Sequence, residues 1–91
     1  MPRPRMKRKV RFNPEVTYFK PAGIPLKELQ EVILTKEEIE SLRLVNILEL
    51  DQTEAAKKME VSQPTFNRIL KESRKKISDA LVNGKALKIS K

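Results

Sequence analysis

Ninety-one residues suffice for one modest domain, and so short a chain has little core to spare for a second independent function. With neither cysteine nor histidine, disulfides and the usual zinc sites cannot be built and the commonest general base at neutral pH is missing, so no metal, no cofactor and no enzyme is expected. Twenty lysines and arginines against twelve acids give +8, a charge that concentrates polyanions, nucleic acid first among them.

The charge is unevenly placed along the chain. Residues 1–11 carry Arg3, Arg5, Lys7, Arg8, Lys9 and Arg11 and no acid, residues 12–50 have an acidic balance, and residues 51–91 are basic again. Pro2, Pro4 and the lack of any period predict an extended, solvated basic arm over 1–11. No apolar stretch follows it that could act as a signal or membrane anchor, so a cytoplasmic protein is expected.

Residues 12–34 read as an ordered lead segment packed on the rest. Val16 to Phe19 is β-prone but bracketed by Pro14 and Pro21, which fits a short edge strand or an ordered loop. Pro25 can open a helical turn with Leu26 and Leu29 on one side, and Val32 to Leu34 leads into the next element.

A helical domain is expected over 35–84. Thr35 and Glu38 have the spacing of a capping box, in which each side chain answers the other's unpaired backbone N–H. Ile39, Leu42, Val45 and Leu48 then form an apolar seam, with Glu37, Glu40, Arg43 and Asn46 left to water. Asp51 and Glu54 repeat the capping pattern and open a short helix through Met59. Ser62 caps a third, longer helix with Pro64 in its first turn, where a missing N–H costs nothing, and Asn83-Gly84 stops it. Lys85 to Ile89, within the final segment 85–91, is either a frayed tail or a short strand.

The short helix, tight turn and long helix have the buried pattern of a helix-turn-helix. Ala55, Ala56 and Met59 lie inward on the first, Val61 plugs the turn, and Phe66, Ile69, Leu70, Ser73, Ile77, Ala80 and Leu81 make one stripe of the second. Glu60 sits in the turn where glycine is favoured for its left-handed backbone, at a cost of about 1 kcal/mol for another residue. The face opposite the stripe is basic. Gln63, Thr65, Asn67 and Arg68, at the start of the helix, have the donors and acceptors to read base edges in a major groove. Lys71, Arg74 and Lys75, farther along, suit phosphates, as do Gln52 and Thr53 at the N-terminus of the preceding helix.

Two resemblances accompany these residues. Gln52 to Met59 with Ser62 to Leu70 resembles the promoter-reading final region of bacterial sigma factors. The whole chain, through Glu15-Val16-Thr17-Tyr18-Phe19-Lys20-Pro21-Ala22-Gly23-Ile24-Pro25-Leu26, the two helices and Gly84-Lys85-Ala86-Leu87, resembles a small uncharacterised family of predicted DNA-binding proteins of bacteria and archaea. The resemblance implies a sigma-like helix-turn-helix behind a lead segment of its own.

The expected fold is therefore mainly α: a small helix-turn-helix bundle of three to four helices with a basic N-terminal arm, and a short strand pair if both chain ends are extended. The expected function is transcription regulation through double-stranded DNA. The alternatives are an adaptor that contacts RNA polymerase through the acidic helix after Thr35, and a nonspecific nucleic-acid binder. Four aromatic residues are too few for the stacking platforms that hold single strands. Palindromic operators are matched by two-fold proteins, so a homodimer is the expected partner state, paired through Val16, Tyr18, Phe19, Leu87 and Ile89 unless these join the two ends of one chain. The arm's arginines and lysines suit a minor groove or a run of phosphates.

Overall fold

The computed structural model describes residues 9–11 and 13–90. Its elements are β1 (Tyr18–Phe19), a 3-10 turn (Leu26–Glu28), β2 (Glu31–Leu34), α1 (Lys36–Leu42), a π-helical turn that continues it (Arg43–Ile47), α2 (Gln52–Met59), α3 (Gln63–Asn83) and β3 (Ala86–Ile89). Three helices thus lie beside a small sheet, in which β3 runs antiparallel to β1 on one side and parallel to β2 on the other.

Local chemistry places the helix starts. The Thr35 hydroxyl accepts from the Glu38 N–H at 3.1 Å, and the Glu38 carboxylate accepts from the Thr35 N–H at 2.9 Å, which completes the capping box. Asp51 accepts from the Glu54 N–H at 2.8 Å but the Glu54 carboxylate does not return the bond, so the expected second capping box is only half made, and Ser62 accepts from the Thr65 N–H at 3.3 Å. Gly84, with φ +65°, ends α3 in the left-handed conformation that a residue without Cβ adopts at no steric cost.

Leu44, Ala55, Ala56, Met59, Phe66 and Leu70 form the buried core, with Val61 and Ile69 packed half-buried against it. The small Ala55 and Ala56 let α2 lie close on α3. Where α1 crosses α3, each helix buries a serine. Ser41 and Ser73 both donate to the Glu38 carbonyl, at 2.7 and 3.0 Å, so the close approach leaves neither hydroxyl unpaired.

The expected seam of α1 holds in part, with Leu42 and Val45 packed half-buried against the core. Ser41 and Leu44 turn inward, whereas Leu48 is 50% exposed. The π-helical turn displaces Leu48: its N–H donates to the Arg43 carbonyl five residues back at 2.9 Å, and the wider winding turns the side chain out of the seam. Glu40, expected in water, is 1% exposed. It tolerates burial because the Arg43 guanidinium forks onto it, at 2.7 and 2.9 Å, and the Arg11 N–H donates to it at 3.1 Å. Leu81 also leaves its expected stripe and is 77% exposed: the last turns of α3 rest on the sheet through Ala80, one position round the helix.

The strand pair is in fact a three-stranded sheet. β1 and β3 join the two ends of the described chain, with Phe19 opposite Leu87, and β2 adds a parallel partner with Val32 opposite Leu87 and Leu34 opposite Ile89. Leu34 and Ile89 are buried, and α3 packs against this layer. Lys76 ties the layers, its ammonium donating to the Ile33 carbonyl and to Glu38, both at 2.8 Å.

Candidate nucleic-acid interface

Phe66, Leu70 and Ser73 are buried at i, i+4 and i+7, which fixes the rotation of α3 about its axis. Asn67, Arg68, Lys71 and Lys75, turned away from that stripe, are thereby committed to the surface, and Gln63 and Arg74, nearer the stripe, are exposed as well. The first turn of α3 holds no acid, and Glu72 is the one carboxylate among these neighbours up to Lys75.

The turn into α3 is tight. Glu60 has φ 56° and ψ 45°, and from this left-handed position the chain returns so that the Val61 N–H reaches the Ala56 carbonyl at 3.1 Å. The left-handed backbone expected at this glycine-favouring position is thus adopted by a glutamate.

The expected contact residues divide by what they already bond. Asn67, Arg68, Lys71 and Lys75 project from one exposed flank of α3. Thr65 is half-buried, and its hydroxyl accepts from the Ser62 hydroxyl at 2.9 Å, so it belongs to the helix cap as much as to the surface. Arg74 reaches sideways to the Asn46 side chain on the π-helical turn, at 3.3 Å. At the start of α2, Gln52 is half-buried, while the exposed Thr53 hydroxyl donates to the Gln63 side-chain oxygen at 3.4 Å. The first turns of α2 and α3 therefore meet at this pair.

Arg3, Arg5, Lys7 and Arg8 lie outside the described residues. The other two basic residues of the arm are tied down by their backbone: the Lys9 N–H donates to the Met59 carbonyl at 3.1 Å, with its ammonium 3.6 Å from Glu60, and the Arg11 backbone N–H donates to Glu40. The arm is thus rooted beside the turn that precedes α3. Sequence reasoning missed Asn46 and Met59 as partners, because both contacts close loops of tens of residues and leave no local signal.

Among the described residues three titrating groups are shifted, all away from the start of α3. Hydrogen bonds from Asn83 and Lys85 hold the Asp79 carboxyl below its ordinary range, the Tyr18 hydroxyl is pushed up by its bond to Glu31, and Arg43 is pushed up by Glu40. Among the described residues no acidic cluster could hold a metal ion, and no helix is long and apolar enough to cross a membrane.

Comparison with known proteins adds the family. The model of the family described as protein of unknown function DUF134 matches residues 1–91. A UPF0251 protein of Caldanaerobacter subterraneus subsp. tengcongensis is 58% identical over 98% of this chain and 75% of its own length. One from Moorella thermoacetica is 55% identical over 98% of this chain and 60% of its own, so the chain spans less than two thirds of that relative. One from Dehalococcoides mccartyi is 53% identical, with 98% of this chain and 76% of its own covered. No solved structure matches. The match over its whole length and these identities show that the chain belongs to the DUF134 (UPF0251) family.

Proposed function

We propose that the chain is a transcription regulator that binds duplex DNA, with α2, the Glu60 turn and α3 acting as a helix-turn-helix and the first half of α3 lying in a major groove. The observation that carries this reading is the exposure of Asn67 and Arg68 on a helix whose opposite stripe is locked into the core, with Gln63 exposed at its first position.

Size and chemistry support it. A helix with its side chains is about 10–12 Å across and a major groove about 12 Å wide, and α3, at 21 residues, is about 32 Å long. Arginine matches the paired acceptors of guanine, and glutamine or asparagine the donor and acceptor of adenine, each good pair contributing about 1–3 kcal/mol of discrimination. Lys71 and Lys75 extend from the same flank to where phosphates border the groove, and supply affinity without sequence. The N-terminus of α3 carries the positive end of the helix dipole, which favours the polyanion.

The test is selection of bound sequences from a random duplex pool at two salt concentrations. A recovered consensus of a few base pairs that persists at the higher salt is the expected result, and its half-site spacing reports whether two copies bind. Recovery of an unenriched pool at both salts overturns the reading.

A further inference from the structure

Thr53 and Gln63 come from different helices yet are joined by a hydrogen bond on the exposed side of the molecule. Thr53 stands in the first turn of α2 and Gln63 is the first residue of α3, and the hydroxyl of the former donates to the side-chain oxygen of the latter at 3.4 Å. Neither side chain is buried, so the pair contributes nothing to the core. The bond is long, and it draws the amide oxygen of Gln63 toward Thr53.

We propose that Thr53 is a positioning residue that orients Gln63 to read one adenine, an inference that rests on the major-groove reading above. An exposed glutamine has three rotatable bonds and loses freedom when it docks on a base edge. Here part of that ordering is already done. With its oxygen bonded to Thr53, Gln63 keeps its NH2 group and one lone pair of the oxygen uncommitted. That is the arrangement adenine requires: the amide N–H donates to N7, and the free lone pair accepts from the N6 amino group. The rival role for Thr53 is a contact to phosphate, which carries no sequence information and affects every duplex alike.

Binding of the full-length chain to its selected duplex, and to duplexes carrying each substituted base pair, separates these roles. Thr53→Val keeps the branched shape and removes the hydroxyl; Thr53→Ser keeps the hydroxyl. Thr53→Val should lower the preference for adenine at one base pair by roughly 2- to 10-fold, the size of one net hydrogen bond. Thr53→Ser should retain it. Gln63→Ala should abolish preference at that same pair, and adding Thr53→Val to it should then cost nothing more. Both residues are exposed, so all four proteins should melt alike. A Thr53→Val loss that is equal on every duplex and additive with Gln63→Ala overturns the positioning role and assigns Thr53 to phosphate. An unchanged preference overturns it as well. Should the wild-type chain show no base preference anywhere, the major-groove reading fails first and takes this inference with it.

Discussion

Replacing Glu60 with glycine should stabilise the fold without touching its core. Glu60 closes α2 with φ 56° and ψ 45°, a conformation that brings Cβ against the following carbonyl and costs an L-residue roughly 1–2 kcal/mol. Glycine escapes that cost but gives up about 0.5–1 kcal/mol more chain entropy on folding than alanine does. Glu60 is also 3.6 Å from the Lys9 ammonium, and glycine removes that ion pair. Glu60→Ala removes the same ion pair and keeps the Cβ, so the comparison of the two variants isolates the backbone. Glycine should exceed alanine by about 0.5–1 kcal/mol. For a domain of this size that is a difference of roughly 2–8 °C in Tm, measurable by circular dichroism melts or urea titration. If the glycine variant melts at or below the alanine variant, the left-handed turn is not the source of strain assigned to it.

Two further outcomes test other parts of the molecule. Asp79 bonds to Asn83 at 2.6 Å and Lys85 at 3.0 Å, and these partners hold its carboxyl below the ordinary value. A depressed folded pKa means that its contribution to stability is present above the unfolded pKa and is lost as pH falls through the folded one. Lys85→Met should move the Asp79 titration back up, as read by carboxyl NMR shifts between about pH 2 and 6, and an unmoved titration would discount the pair. Deleting residues 1–8 removes Arg3, Arg5, Lys7 and Arg8. The plot of log affinity against log salt should become shallower by up to about 0.9 for each phosphate that the arm no longer neutralises, while base preference along α3 stays as it was; an unchanged slope rules out binding of the arm to DNA.

Features decided within four residues were legible from the sequence. The capping box at Thr35, the caps at Asp51 and Ser62 and the stop at Gly84 each depend on a side chain or backbone freedom at one place, and each is found where expected. The inward set Ala55, Ala56, Met59, Phe66 and Leu70 was legible because helical periodicity leaves those residues one shared side. What escaped depends on partners remote in sequence or on irregular winding. β2 has only four residues and becomes a strand because β3, more than fifty positions later, supplies its ladder. Glu40 reads as a solvated acid until the Arg43 fork and the Arg11 N–H are known to surround it. The π-helical turn has no signal in the Arg43 to Ile47 residue types, and it turned Leu48 out of the seam of α1. At the interface, exposure of the α3 flank follows from periodicity, whereas the pairing of Thr53 with Gln63 depends on how α2 crosses α3.

The most direct test of α3 as the DNA-reading element compares Arg68→Ala with Lys75→Ala on the selected duplex and on its single base-pair variants. Both side chains are exposed, so neither change should alter the melting curve. Arg68→Ala should cost about 1–3 kcal/mol on the selected duplex and remove preference at one base pair, while Lys75→Ala weakens all duplexes by the same factor. Equal losses from both changes on every duplex would contradict groove reading by this helix.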